Sequence, residues 1–125
     1  IITPNQTEAE FLTGIEVTSP ESAAAAAKAL LGKGIPTVVI KMGELGAFYA
    51  TGRDSGFVAG FEIEPVDSVA AGDGFGGALA VSLAEGRPLS EAVRRGCAAG
   101  ALAVTKEGAQ AAMPTRAEVE ALLLN

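Results

Sequence analysis

The residues with the clearest chemical potential lie in a glycine-rich segment from Val66 to Leu79, which reads Val-Asp-Ser-Val-Ala-Ala-Gly-Asp-Gly-Phe-Gly-Gly-Ala-Leu. The segment follows a strand-like stretch and opens a helix of small residues. At a helix start several backbone N–H groups lack partners and the helix dipole is positive, so an anion is attracted there. Ala71 and Gly72 have almost no side chain to keep a phosphate at a distance. The segment therefore predicts an anion site with the carboxylate of Asp73 beside it.

Several interpretations of these glycines compete. Gly72, Gly74 and Gly77 match the dinucleotide pattern G-x-G-x-x-G. That pattern is rejected because Asp73 would lie in the phosphate turn, and because the next element after this helix is predicted to be another helix rather than the strand that a βαβ unit requires. A Walker A loop is excluded because no Lys-Ser or Lys-Thr pair closes the glycines. Spacing alone leaves two interpretations open: an acid in the first helical turn with glycines for close helix packing, or a catalytic base at the mouth of an anion hole.

Composition excludes several classes of function. The chain has no histidine, which removes a His-based triad, an imidazole acid or base and most zinc sites. Cys97 is the only cysteine, so an intrachain disulfide cannot form, and a reducing, cytoplasmic location is expected. The net charge of -6, without a basic cluster, argues against a nucleic-acid partner. No apolar run approaches the roughly 20 residues of a membrane span, so no membrane association is expected.

The elements that must position these residues predict an α/β layer. With 125 residues and 49% hydrophobic content, residues 1–125 are expected to form a single domain. Asn5 and Glu8 have the spacing of a capping box at the start of the first helix. The predicted order is a strand end at Ile1–Thr3, helices at Gln6–Thr13 and Ser19–Leu31, a buried strand at Thr37–Ile40, a hairpin of Ala47–Thr51 with Gly56–Gly60, an edge strand at Phe61–Glu64, and helices at Asp73–Leu83, at Ser90–Val104 and after Thr115.

Four motifs in order resemble those of the ribokinase-like sugar kinase family. Asp67–Ala78 reproduces the family pattern D-T-x-A/G-A-G-D-x-F-x-G-A, with Ser68 in place of Thr. The other three are Thr3–Gly14, Ile40–Ala47 and Ala103–Gln110. The resemblance implies a ribokinase-like three-layer sandwich fragment, with a mostly parallel sheet, a β-hairpin and flanking helices. It covers the C-terminal, nucleotide-binding portion of such a kinase and lacks the N-terminal sugar-binding and lid region.

The resemblance also implies an activity, the ATP-dependent phosphorylation of a sugar hydroxyl, with D-ribose converted to ribose 5-phosphate as the favoured case. Asp73 would contact the sugar and accept a proton from its hydroxyl as that oxygen attacks the γ-phosphorus. The backbone amides of Ala70, Ala71, Gly72 and Asp73 would form the anion hole that stabilises the transferring phosphoryl group. The implied partners are a small sugar and ATP.

The same resemblance assigns the nucleotide and metal contacts. Asn5 and Glu8 would order Mg²⁺ partly through water, and Cys97 would form a wall of the ATP pocket near the adenine. Family members usually carry Thr or Ser where this chain has Lys41. The ATP-binding positions that the resemblance implies are Asn5, Lys41, Met42, Gly43, Glu44, Leu45, Gly46, Gly72, Asp73 and Cys97. A K⁺ ion would be held, mostly by backbone carbonyls, at Asp67, Val69, Ala103, Lys106, Gly108 and Ala112.

Two consequences follow for the chain as it stands. Without the sugar-binding region the hydroxyl is not oriented against ATP, so the isolated 125 residues are expected to have little or no kinase activity. The sheet is expected to expose an edge or apolar face that favours a homo-oligomer. A non-catalytic nucleotide-binding or structural module is the alternative. Asp73 favours the kinase, because binding a phosphate does not require a carboxylate beside it.

Overall fold

The fold is taken from a computed structural model, which describes residues 1–61, 71–103 and 115–124, with the backbone alone at 71–73 and 103. The chain divides into two compact units, Ile1–Ala59 and Gly60–Asn125. The single domain expected from the length stays a prediction. Among the described helices, none has both the length and the apolar content to cross a bilayer.

Two helices of the first unit begin and end on local sequence signals. Helix α1, Gln6–Thr13, ends at Gly14, whose φ of 75° is left-handed and whose N–H donates to the Glu10 carbonyl at 2.7 Å. Glycine adopts this conformation without the steric cost that a Cβ imposes. Helix α2, Pro20–Gly32, begins after Ser19, whose hydroxyl accepts from the Ser22 N–H. Both helices confirm the predictions to within a residue at their ends.

The sheet of the first unit consists of β1, Thr37–Lys41, β2, Gly46–Thr51, and β3, Ser55–Ala59. The predicted hairpin is confirmed as β2 and β3. All three strands pair antiparallel. The sequence predicted a mostly parallel sheet, whereas these three strands are antiparallel. The links between them are too short for the crossover that parallel strands need. Among the described residues, parallel pairing is limited to isolated bridges from Ile2 to Val38 and from Asn5 to Lys41.

The core of the first unit lies between the sheet and its two helices. Alternate residues of β1, Val38 and Ile40, are fully buried there, followed by Met42 after the strand. Burying one such side chain contributes about 1.5–3 kcal/mol, and the three side chains together hold the end of β1 against the helices. The small side chains of α2 allow its backbone to approach the sheet closely. The cluster comprises Ala9, Val17, Ala23, Ala26, Ala27, Leu30, Val38, Ile40, Met42, Phe48 and Ala50.

The described part of the second unit is helical. Helices α3, Ala71–Ala84, and α4, Leu89–Ala103, pack extensively on each other, and α5, Arg116–Leu123, packs on α4. At Gly96 of α4, an added Cβ would lie 3.1 Å from the Phe75 ring of α3, so the glycine allows the close approach. The three predicted helices are confirmed. Of the predicted edge strand Phe61–Glu64, all but the first residue lie outside the described residues.

Candidate active site

The start of α1 forms the capping box that its sequence predicts. The Asn5 side-chain Oδ1 accepts from the Glu8 N–H at 2.8 Å, and the Asn5 N–H donates to Glu8 Oε1 at 2.9 Å. These two bonds satisfy backbone groups that a helix start otherwise leaves without partners. Within the described residues, the second carboxylate oxygen of Glu8 has no hydrogen-bond partner and remains available to a ligand.

Backbone hydrogen bonds hold the end of β1 against the start of α1. The Lys41 N–H donates to the Pro4 carbonyl at 2.8 Å, and a parallel bridge joins Lys41 to Asn5. Bridged backbones of this kind lie about 4.8 Å apart. The two motifs that were expected to border the nucleotide, although distant in sequence, are therefore neighbours in the first unit.

The turn after Lys41 depends on two glycines. Gly43 and Gly46 have φ values of 57° and 121°, in the region that side chains disfavour. The Met42 N–H donates to the Gly46 carbonyl at 2.8 Å, which closes the turn. The Met42 side chain is buried in the core, so only its backbone is left to face a ligand. Glu44 is exposed and Leu45 is half exposed, which leaves both side chains accessible.

The predicted anion hole falls partly within α3. The helix begins at Ala71, two residues before the predicted start, so Ala71, Gly72 and Asp73 form its first turn. The first N–H groups of an α-helix have no acceptor within that helix. Ala70 lies outside the described residues, as does the side chain of Asp73. Of the predicted K⁺ positions, Ala103 is the last residue of α4, while Asp67, Val69, Lys106, Gly108 and Ala112 lie outside the described residues.

Cys97 is a buried thiol on α4. Desolvation by burial raises its pKa to about 12, so the thiol stays neutral at physiological pH. A neutral, buried thiol is a poor nucleophile and a poor metal ligand. Its side chain can therefore contribute shape to a pocket wall, and its predicted contact with the nucleotide stays a prediction.

The oxygen atoms of the Asn5 and Glu8 side chains could supply a few ligands of a magnesium ion whose other ligands are water and phosphate. Among these residues no cluster of three or more His, Cys, Asp or Glu side chains could hold a metal ion. Magnesium usually keeps several waters and takes one or two protein carboxylates together with substrate phosphates. The second carboxylate oxygen of Glu8, unpartnered within the described residues and next to the Asn5 amide, matches that requirement.

The second unit also contains a cavity that the sequence did not indicate. Its volume is about 260 Å³, and it lies among α3, α4 and α5. Arg116 lines it and donates to Glu85 at 2.6 Å. Arg95 also lines it, and its Nε is the one buried side-chain nitrogen or oxygen in the described part of the chain without a hydrogen bond. Its charged lining residues are Glu85, Arg95 and Arg116, and ion pairs join them to Arg87, Glu91 and Glu120.

Comparison with known proteins relates this arrangement to sugar kinases. A family model described as pfkB family carbohydrate kinase matches residues 1–116. The ribokinase of Haemophilus influenzae is 48% identical over 118 residues, which are 94% of this chain and 39% of that protein.

Solved structures of such kinases share the fold. Arabidopsis thaliana ribokinase complexed with ribose and ATP is similar with a TM-score of 0.90 and 32% identity, over 97% of this chain and 39% of that one. The fructokinase of Vibrio cholerae in its fructose, ADP and calcium ion bound form has a TM-score of 0.82 and 33% identity, over 97% and 40% of the two chains. The expected ribokinase-like fold is thereby confirmed. The chain spans 39–40% of the length of these relatives. It belongs to the pfkB family of carbohydrate kinases.

Proposed function

We propose that the polypeptide carrying this sequence transfers the γ-phosphoryl group of ATP to a hydroxyl of a sugar, with D-ribose as the favoured acceptor and ribose 5-phosphate as the product. The observation that carries the proposal is the bridge between Asn5 and Lys41. This bridge brings the helix start expected to order the metal next to the turn expected to border the nucleotide. Membership of the pfkB family supports the assignment as a carbohydrate kinase, without specifying the sugar.

In the proposed reaction Asp73 acts as the base. Its carboxylate orients the sugar hydroxyl and accepts the proton while the oxygen bonds to the γ-phosphorus and the bond from that phosphorus to ADP breaks. The amides of Ala70, Ala71, Gly72 and Asp73 stabilise the charge of the transferring group. The loss of one such donor costs about 2.7–4 kcal/mol in other enzymes. The start of α3 at Ala71 is consistent with this role.

Two cations belong to the proposal. Asn5 and Glu8 would hold Mg²⁺, whose charge, when bound, offsets that of the ATP phosphates. The second carboxylate oxygen of Glu8, which has no hydrogen-bond partner among the described residues, is the ligand atom that the capping box leaves for the metal. K⁺ would be bound at the positions that resemble the family's monovalent-cation loop, which are Asp67, Val69, Ala103, Lys106, Gly108 and Ala112.

The proposal concerns the full polypeptide that carries these residues. The chain spans 39% of each of two such relatives, and the sugar-binding region is expected in a part of the full polypeptide outside these 125 residues. The 125 residues by themselves are expected to show little or no sugar-dependent formation of ADP, because the hydroxyl would not be held against the phosphate. Self-association through an exposed sheet surface and a cytoplasmic location also stay predictions.

The test is a substrate panel on the full polypeptide with Asp73→Asn and a matched control, Asp54→Asn, which changes an exposed aspartate before β3. Ribose, 2-deoxyribose, fructose and adenosine are offered with MgATP in K⁺ or Na⁺. A base of this kind contributes roughly 10²–10⁴-fold to the rate, so the Asp73 variant should lose turnover by that factor while still binding ATP. The control should retain wild-type turnover.

Three results would each contradict a part of the proposal. Normal turnover by the Asp73 variant would remove Asp73 as the base. ATP binding by the wild-type polypeptide without phosphorylation of any offered sugar would favour a non-catalytic nucleotide-binding module. Equal turnover in Na⁺ and K⁺ would remove the monovalent cation.

A further inference from the structure

The cavity among α3, α4 and α5 has largely apolar walls. Its apolar side chains include those of Ala78 and Val81 on α3, Ala99 on α4 and Val119 on α5. Its volume of about 260 Å³ exceeds the roughly 150 Å³ of an engineered cavity that binds benzene. The cavity is therefore large enough for an organic molecule that consists of one ring and a small polar group.

Arg95 lines this cavity with most of its hydrogen-bonding capacity unused. Its side chain is only 14% exposed, and a guanidinium has five N–H donors. Among the described residues its one hydrogen bond runs from Nη1 to Glu120 Oε1 at 3.5 Å, which is long for such a bond. Its Nε is buried without an acceptor, and Glu91 Oε1 lies 3.7 Å from that atom. Buried donors are rarely left unsatisfied, because the free energy lost on desolvation is then not recovered.

The other charged groups in the lining already satisfy one another. Arg116 Nη1 donates to Glu85 Oε2 at 2.6 Å, and Arg87 Nε donates to Glu85 Oε1 at 3.1 Å. Both carboxylate oxygens of Glu85 are thus engaged. The carboxylates of Glu91 and Glu120, which lie nearest to Arg95, do not line the cavity. A ligand oxygen in the cavity could therefore bond to Arg95 without displacing the pair of Glu85 and Arg116.

Charge and shape together select the kind of ligand. Two arginines and one glutamate line the cavity, so its lining carries a net positive charge. The planar fork of a guanidinium matches the two oxygens of a carboxylate, and charge-assisted hydrogen bonds are stronger than neutral ones. The apolar walls are stabilised when a hydrocarbon body covers them, which an inorganic anion cannot do. These features favour an organic carboxylate over a free phosphate.

We infer that the cavity among α3, α4 and α5 binds a small organic carboxylate. The carboxylate oxygens accept hydrogen bonds from Arg95, and the apolar body packs against Val81, Ala99 and Val119. None of the described lining residues is among those assigned to ATP, the sugar or the cations. The inference therefore goes beyond the proposed function and does not depend on it.

The experiment measures the binding of benzoate and hexanoate to the full polypeptide by calorimetry, and the rise in the thermal unfolding midpoint that a bound ligand produces. Benzamide has the shape of benzoate without its charge, and inorganic phosphate has charge without an apolar body. Arg95→Met removes the guanidinium and keeps an apolar stem. Arg53→Met, at an exposed arginine between β2 and β3, is the control. Gly77→Leu adds a side chain to the lining where a Cβ meets no atom within 4 Å, and it leaves Arg95 in place.

Benzoate or hexanoate should bind, and both lining variants should weaken that binding while the control does not. A hydrogen bond to a charged group corresponds to roughly a tenfold change in affinity or more. Arg95→Met should therefore weaken the carboxylate about tenfold or more, and benzamide should bind the wild-type polypeptide more weakly than benzoate by a similar factor. Gly77→Leu should weaken benzoate and benzamide alike, because it removes space rather than charge.

Several results would overturn the inference. Failure of both carboxylates to bind the wild-type polypeptide would do so, as would unchanged carboxylate affinity in Arg95→Met. Phosphate that binds as tightly as benzoate would indicate a site for anions in general. If Arg95→Met does not fold, Gly77→Leu and the ratio of benzoate to benzamide affinity decide the matter. A wild-type polypeptide that phosphorylates no sugar would contradict the proposed function alone, since these measurements need neither ATP nor turnover.

Discussion

Glu8 is expected to have two separable roles, one in the capping box and one toward the metal. Its Oε1 accepts from the Asn5 N–H at 2.9 Å. Glu8→Gln keeps an oxygen at this position and removes only the charge, since glutamine also serves in a capping box. Glu8→Ala removes both. Glu10→Gln, at an exposed position of the same helix, removes a charge without touching the box and is the control.

The charge of Glu8 and the one hydrogen bond that its side chain accepts set the expected losses of stability. Loss of a carboxylate charge near a helix start costs about 0.3–1 kcal/mol, which is the expected decrease in the free energy of unfolding for Glu8→Gln. Glu8→Ala also leaves the Asn5 N–H without its partner, which adds about 0.5–1.5 kcal/mol for one hydrogen bond. Glu10→Gln, further along the helix from its positive end, should change stability by less than either.

Two measurements separate the roles. Urea unfolding followed by circular dichroism gives the free energy of unfolding of each variant, and a Mg²⁺ titration of ATP binding gives the metal requirement. Both Glu8 variants should need about tenfold more Mg²⁺, since each loses the same carboxylate ligand. If Glu8→Gln is as unstable as Glu8→Ala, the capping argument fails. If Glu8→Gln keeps the wild-type Mg²⁺ requirement, the metal role fails.

Two further predictions concern the second unit. Gly96→Ala places a Cβ 3.1 Å from the Phe75 ring, and such overpacking should lower the free energy of unfolding by about 1–3 kcal/mol. Gly76→Ala, with no atom within 4 Å of its added Cβ, should instead raise the free energy of unfolding by about 0.5–1 kcal/mol. Urea unfolding of both variants measures the two changes. Because burial raises the pKa of Cys97 to about 12, iodoacetamide should label it slowly at pH 8 in the folded state and rapidly in urea, and rapid labelling of the folded protein would contradict its burial.

Local signals in the sequence were sufficient for most of the elements. Asn5 and Glu8 at their spacing predicted the capping box of α1, and Ser19 before Pro20 predicted the start of α2. These signals act within one helical turn, so they can be predicted from the sequence without knowledge of the fold. The order of motifs likewise indicated the family that the comparisons confirm.

The direction in which the strands pair was harder to predict from the sequence. The β-branched run of β1 was expected in a mostly parallel sheet, yet β1, β2 and β3 pair antiparallel. A buried strand has the same apolar composition in either arrangement, and the direction follows from the connection rather than from the strand itself. The short turn between Lys41 and Gly46 decides that direction.

The sequence by itself determined which residues could carry the chemistry: an acid beside small residues at a helix start, and a second helix start with an acid three residues on. Only the tertiary structure decided that Asn5 lies beside Lys41 and that the side chain of Met42 is buried in the core. These are properties of nonlocal backbone bonds and of burial. They arise only when distant segments pack together, which no short-range pattern specifies.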